Sequence, residues 1–454
     1  MLKLNEEFLN RIKKYLSDDA EYKKFLDSFS EPSANGLMIN KYLIKNNLNL
    51  YNKIINDLNL KTVYENEYYS YNIYDKNKNA EQNIFPGKNI YHHQGIYYIQ
   101  EPSANTVLRD IAFEDGDKIL DLCASPGGKS IQALLNIQNK NNSFLISNEI
   151  DFARAKILHS NIERMGFSNS IITNTTSANL KNEFIEYFDK IIIDAPCSGE
   201  GMMRKSEIAI DQWSISLINN CAKIQKELLT DAYHMLKPGG FLVYSTCTYA
   251  KEEDEDIIDY LTHTFNDLKI VKMNKIYHHM NIGEGQFFCI LTKDRYSHID
   301  INTSQNNIKN NISNNEYTII NQFFDNILSD KFTNKTNLIY KYKNKFYLIN
   351  NNFPLNKLKN INILSIGIKL GEIKKDRFEP AHHISHSFIS DIFKNRIELD
   401  EEDAIKYLKG EVLKTEFDVD NGYGVVTYND ISIGLVKVTN KTLKNHYPKG
   451  LRLL

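Results

Sequence analysis

The stretch "KILDLCASPGGKS" (118–130) is a β-branched apolar run, a tight Gly/Pro turn and the opening of an amphipathic segment. It reads as a strand that enters a helix through a turn. Gly127 and Gly128 let the backbone of that turn approach a ligand where a Cβ would clash. In an open α/β sheet such a turn lies outside the carboxyl end of its strand, where ligands bind. Two phosphate-binding patterns are excluded. A P-loop needs glycine where this chain has Cys123, and no G-x-G-x-x-G fingerprint is present.

The same alternation continues outward. Short apolar runs at 143–147, 170–173, 190–195, 241–246 and 286–292 are separated by segments with helical spacing, among them "DFARAKILHSNIERMG" (151–166) and "LINNCAKIQKELLTDAYHMLK" (217–237). This pattern predicts an α/β, Rossmann-like fold, a mostly parallel sheet with helices on both faces. It occupies 96–300. Residues 1–95 are helical and then Tyr/Asn-rich, and read as a separate α/β region. The Asn-rich stretch 301–317 reads as a linker, 318–390 as a small mixed α/β domain, and 391–454 as a small β domain with an "ND" turn inside "GVVTYNDISIGLVKV".

Bulk properties set limits. At 454 residues the chain exceeds one ordinary domain. No stretch approaches the roughly 18 uncharged apolar residues of a membrane span, and the first residues lack a signal-peptide pattern. The five cysteines form no C-x-x-C and no pairable framework, so neither a disulfide scaffold nor a metal site is expected, and a reducing cytoplasm is. The net charge of −2 hides an asymmetry. Residues 1–300 carry 33 Lys+Arg against 40 Asp+Glu, whereas 301–454 carry 22 against 17. From Ile431 to Leu454 there are four lysines and Arg452 with no acid. Such a surface suits a polyanion, although a merely solvated lysine-rich face fits the charge equally well.

Two further features point to chemistry. Glu149 follows the second run, 21 residues after Gly128, where an acid can hydrogen-bond both hydroxyls of an adenosine ribose. A glycine turn and that acid, without a phosphate cradle, suit S-adenosylmethionine. "KIIIDAPCSG" (190–199) then ends its strand with Asp194, a rigid proline and Cys197, and "FLVYSTCT" (241–248) delivers Cys247 to the same sheet edge. If those strands are neighbours, both thiols face one cleft. Cys221 and Cys289 read as small buried hydrophobes. A methyl donor and two thiols suit methylation at carbon 5 of cytosine, a poor nucleophile until a thiolate adds to carbon 6. A carboxyl such as Asp194 near the ring nitrogen would stabilise the charge of the adduct.

"DLCASPGGKS", "DAPCSGEG" and "VYSTCT", in this order and preceded by "YYIQEPSA" (97–104), resemble the Sun-type RNA cytosine-5 methyltransferases. The resemblance implies a class I S-adenosylmethionine-dependent methyltransferase domain, with Cys247 as nucleophile, Cys197 assisting product release, and Asp194 in the site. It implies cofactor contacts from Cys123, Ala124, Ser125, Pro126, Gly127, Gly128, Lys129, Glu149 and Asp194. One departure is clear: many relatives have aspartate where this chain has Thr176. "RFEPAHHISHSF" (377–388) and "GLVKVTNKTLKNHYPKGLR" (434–452) resemble the tail of the bacterial ribosomal small-subunit methyltransferase F group, which implies a PUA-like RNA-binding domain at 391–454 and 16S ribosomal RNA or the small subunit as partner. Asn40, within "GLMINKYLIKN" (36–46), and Lys441, Lys444, Lys449 and Arg452 are the expected RNA contacts. A monomer with no DNA or membrane partner is expected.

The alternatives are a transfer-RNA cytosine-5 methyltransferase, an adenine amino-group methyltransferase and a non-catalytic RNA-binding factor. "DAPC" lacks the aromatic that the adenine enzymes place after proline, and that reading leaves Cys247 without a role.

Overall fold

The computed structural model describes residues 4–453 apart from 17, 46, 141, 296–311, 334–336 and 417. The first sheet contains β1 (Asn35–Asn40), β2 (Lys61–Glu65), β3 (Tyr69–Tyr74) and β4 (Tyr97–Gln100), ordered β2-β3-β1-β4. The boundary drawn at 95 therefore cuts off its last strand, because "YYIQ" pairs antiparallel with β1.

The central sheet takes β5 (Lys118–Asp121), β6 (Phe144–Asn148), β7 (Ser170–Thr173), β8 (Phe188–Asp194), β9 (Leu236–Thr246), β10 (Leu268–Ile276) and β11 (Gln286–Lys293). After β12 (Asn337–Tyr342) and β13 (Lys345–Asn350) the chain returns to it with β14 (Ile363–Ile366), giving the order β10-β11-β9-β8-β5-β6-β7-β14. The strands β5 to β9 are mutually parallel, and β10, β11 and β14 pair antiparallel at the two ends. These parallel strands read as unbroken apolar runs because both faces are covered. In β8, Ile191 and Ile193 join the core on one face and Ile192 the core on the other. In β9, Leu242 and Tyr244 alternate with Val243 in the same way.

From β5 the chain moves through β6 and β7 to one side, then returns to place β8 and β9 on the other. The order reverses between β5 and β8, so the loops after these two strands open a crevice at the sheet's carboxyl edge.

Two additions brace this sheet. Among the described residues the N-terminal helices Glu6–Tyr15 and Asp19–Asp27 share no core cluster with the first sheet. Instead Phe8, Ile12 and Phe25 are fully buried against Met203, Trp213, Tyr249 and Tyr277 of the central domain. β14, from the region read as a small middle domain, extends the central sheet beside β7.

β15 (Ile368–Lys374) and β16 (Arg377–Pro380) complete a third sheet, β12-β13-β15-β16. The helix Asn314–Ile327 precedes it, held by a capping box between Ser313 and Glu316. The last four residues of the segment read as a linker are thus helical, and 301–311 lie outside the described residues. β17 (Arg396–Glu398), β18 (Leu413–Lys414), β19 (Gly422–Tyr428), β20 (Ile431–Thr439) and β21 (Thr442–Asn445) form the last sheet, ordered β17-β19-β20-β21-β18. Its β19–β20 hairpin turns at Asn429 and Asp430, with φ of 50° and 66°, the turn conformation that Asn and Asp tolerate best after glycine. Among the described residues no helix is long and apolar enough to cross a membrane.

Candidate active site

The loops after β5, β6, β8 and β9 build one site at the crevice. After β5, Gly127 sits at φ +123° and opens the helix Gly128–Ile137. A Cβ on Gly128 would come within 3.0 Å of Gln100 Nε2, so the first sheet packs directly behind the turn. The turn is tied down by neighbours. Ala124 N donates to Asn148 O (2.9 Å), Ser125 Oγ donates to Arg154 O (3.0 Å), and Asn161 Nδ2 donates to Pro126 O (2.9 Å). Burial also raises the Cys123 thiol, with Asp121, Glu149 and Asp194 adding to the effect, so Cys123 is a neutral packing residue of the turn.

Under the turn lies Asp121, which no pattern singled out. It is fully buried. Ser130 Oγ donates to its Oδ2 (2.7 Å), while Oδ1 makes no hydrogen bond among the described residues. Burial pushes this carboxyl up to about 7, helped by the charge of Asp194 and opposed by Ser130 and Lys129.

Glu149 is 3 % exposed just beyond β6; its Oε1 accepts from Asp151 N (2.9 Å), and Arg154 lies 3.5 Å from Oε2. The next residue, Ile150, is 67 % exposed and turns an apolar face outward. Thr176 is occupied elsewhere. Its hydroxyl caps the helix Ser177–Glu183 by accepting from Asn179 N (3.2 Å). The side chain that reaches the Glu149 segment is Asn174, whose Nδ2 donates to the carbonyls of Glu149 and Ile150 (both 2.8 Å).

β8 and β9 are neighbours, in register with Asp194 opposite Ser245. Their ends therefore meet. Asp194 accepts from Ser245 Oγ on Oδ1 (2.8 Å) and pairs with Lys129 Nζ on Oδ2 (2.7 Å). Lys129, although it opens a helix as a surface lysine would, is 4 % exposed, so the ion pair links the glycine turn to the Asp-Ala-Pro-Cys loop. Cys197 Sγ and Cys247 Sγ lie 3.1 Å apart, and Cys247 N donates to Cys197 Sγ (3.3 Å). The contact with Cys247, then burial, then the charge of Glu253 hold the Cys197 thiol well above its ordinary range. A thiol held in this way keeps its proton, and either sulfur of the pair can be the donor of the contact. Cys221 and Cys289 are buried, as small apolar residues are.

The expected RNA contacts divide. Lys441, Lys444 and Lys449 are exposed on the last sheet and its tail. Arg452 is half-buried over Gly410, with no acceptor for its Nε among the described residues. Asn40 is corrected outright. It is 3 % exposed, and its Oδ1 accepts from Tyr42 N (3.1 Å), Leu43 N (3.3 Å) and Gln138 Nε2 (3.2 Å), so it shapes the turn after β1 from inside.

A doubly covered parallel sheet with a glycine turn, a buried acid after β6 and a crevice at its switch point is an architecture suited to an S-adenosylmethionine-dependent methyltransferase, and the family matches give that class. Four family models match consecutive parts of the chain: the N-terminal domain of 16S rRNA methyltransferase RsmF (4–102), 16S rRNA methyltransferase RsmB/F (109–299), the RsmF rRNA methyltransferase first C-terminal domain (322–388) and the methyltransferase RsmF PUA domain (394–453). The chain is 30 % identical to ribosomal RNA small subunit methyltransferase F of Vibrio vulnificus, over 82 % of each chain. It is 28 % identical to the Shewanella loihica protein of that name, over 99 % of this chain and 96 % of the relative. Among solved structures, NSun6 from Pyrococcus horikoshii with SFG superposes with a TM-score of 0.54 at 19 % identity, covering 64 % of this chain and 99 % of that one. The chain belongs to the ribosomal RNA small subunit methyltransferase F family.

Proposed function

We propose that this protein transfers a methyl group from S-adenosylmethionine to carbon 5 of a cytosine in 16S ribosomal RNA, through a covalent adduct on Cys247. The observation that carries the reading is the meeting of two thiols, Sγ to Sγ 3.1 Å, at the carboxyl ends of adjoining parallel strands beside the glycine turn. An amino-group methyltransferase has no use for that pair. The names of the relatives and of three of the four family models support ribosomal over transfer RNA.

The chain fits the cofactor. Glu149 offers its carboxylate for the ribose hydroxyls, and exposed Ile150 beside it offers an apolar face for the adenine ring. Asp121, buried with one oxygen unpartnered among the described residues, and the Lys129–Asp194 pair line the turn. When bound, S-adenosylmethionine supplies the electrophilic methyl group.

The chain's own residues do the rest. The Cys247 thiol gives up its proton to water as its sulfur bonds to carbon 6 of cytosine. The 5,6 electron pair shifts through the ring and the ring nitrogen takes a proton, which leaves an enamine with carbon 5 nucleophilic. Asp194, held by Lys129 and Ser245, stands at the cleft with a fixed orientation and is positioned to stabilise the adduct at the ring nitrogen. After methylation carbon 5 loses its proton to water, the carbon 6–sulfur bond breaks, and the S–H of Cys197 protonates the departing Cys247 sulfur. A base in paired RNA must first leave its stack to reach the thiols.

Incubation with methyl-labelled cofactor and small-subunit RNA, followed by nucleoside analysis, tests this. Label is expected in 5-methylcytosine and is expected to vanish in Cys247→Ala. Label on adenine, or full activity in Cys247→Ala, contradicts it.

A further inference from the structure

The loops that carry the two thiols are tied to each other by side chains that take no part in the chemistry above. Glu253 belongs to the segment after Cys247, yet its carboxylate accepts the N–H of Ser198 on the Cys197 loop (3.0 Å and 3.3 Å to its two oxygens). Gln225, on the helix Ile215–Met235, donates from Nε2 both to Glu253 Oε2 (2.9 Å) and to Pro196 O (3.0 Å). Pro196 and Ser198 flank Cys197, so the Gln225–Glu253 pair grips the backbone on both sides of this thiol. Both side chains are fully buried. Tyr244 OH donates to Glu253 O (2.6 Å), which fixes the grip to β9.

The reverse tie also exists. Glu200, from the Cys197 loop, accepts from Thr248 Oγ1 (3.1 Å) and Tyr249 N (3.0 Å) just beyond Cys247. Between the two ties the hydroxyls of Ser198 and Thr248 meet at 2.8 Å. Two buried carboxyls cross-link the loops, each accepting from the loop opposite. Burying them is costly, and burial lifts Glu253 to about 7. Apolar residues would pack such a place more cheaply, so the carboxyls are explained by what they hold.

We propose that Glu253 and Gln225 are positioning residues for Cys197, setting the rate at which the covalent adduct breaks down and not the rate at which it forms. This rests on the covalent reading above. The asymmetry follows from the contacts: the pair grips the residues on either side of Cys197, whereas Cys247 is steadied through Glu200.

The test follows adduct formation and decay separately, with full-length protein, small-subunit RNA and S-adenosylmethionine in single turnover, reading denaturant-resistant protein–RNA complex against time. Gln225→Met removes both donors at nearly constant volume, and Glu253→Ala removes the acceptor. Loss of such buried, charge-assisted bonds is expected to lengthen adduct lifetime about tenfold or more while adduct formation changes less than about threefold. An unchanged lifetime, or equal slowing of formation and decay, overturns the proposal. Should Glu253→Ala not fold, Gln225→Met decides alone. Cys197→Ala is the reference: if it accumulates no adduct the covalent reading itself fails, whereas accumulation there with wild-type lifetimes in both variants rejects only the positioning role.

Discussion

Lys129 shows what a single residue contributes and how little of it is local. In sequence it is the lysine of a Gly-Gly-Lys-Ser helix start; in the fold it is buried and bound to Asp194, which comes from a strand two connections later. Lys129→Met should lower kcat/KM by about tenfold or more, since it frees a carboxylate that must keep one orientation, and steady-state kinetics will show it. Asp121 gives a pH signature. Its carboxyl, raised to about 7 from an ordinary value of 3.8, keeps a proton in the folded state that the unfolded chain releases. Its contribution to stability is therefore complete below about pH 4 and is lost as pH rises through about 7. In urea unfolding, the drop in stability between about pH 5 and about pH 8 should shrink in Asp121→Asn. Glu253 shows where residue-level reading stops. "AKEEDED" (250–256) looks like a solvated charge run, yet Glu253 and Asp254 are fully buried. Only the return of β9 beside β8 decides that, and strand order is not written in local periodicity.

Elements built from local signals were legible, and those completed by distant partners were not. The apolar runs found in sequence became β5 to β8 nearly end to end and the second half of β9, because strands covered on both faces are apolar there. The "ND" hairpin was equally local. β14 was not: "ILSI" became the eighth strand of a sheet whose nearest member in sequence, β11, ends seventy residues earlier. The thiol site falls between. Each cysteine at a strand end was visible, while their meeting depended on β8 and β9 being adjacent. Loop packing around them is tight, and Gly201 is the clearest case. A Cβ there would lie 2.6–2.8 Å from backbone atoms of Gly285. Gly201→Ala should cost about 1–3 kcal/mol in denaturant unfolding and lower turnover as the loop shifts. The N-terminal helices are a second case. Phe25 packs edge-on against Tyr249 (centroids 5.8 Å apart), and Phe25→Ala should cost about 3–5 kcal/mol.

For the whole molecule the charge asymmetry read from sequence acquires a place. Lys437, Lys441, Lys444 and Lys449 are all exposed on β20, β21 and the tail, and Lys437 stands directly opposite Lys444. Like charges paired across strands are unfavourable in isolation, and a polyanion relieves them. Replacing the four by alanine should flatten the salt dependence of RNA affinity by about 0.7 in log–log slope for each phosphate no longer neutralised, leaving turnover at saturating RNA largely intact. Filter binding at several salt concentrations measures this. An unchanged slope would assign phosphate binding to another surface. Asn40 was the part of this picture that sequence misplaced, because resemblance gave its position on β1 and could not tell that its amide points into the turn.

In the proposed reaction Cys247 carries the covalent bond and Cys197 releases it. That reaction is tested most directly by locating the bond. Cys197→Ala protein, incubated with S-adenosylmethionine and small-subunit RNA, denatured, digested with protease and nuclease and examined by mass spectrometry, should yield a methylated cytidine joined to the peptide containing Cys247. Attachment at any other residue, or recovery of free Cys247 from a fully active Cys197→Ala enzyme, would contradict the account.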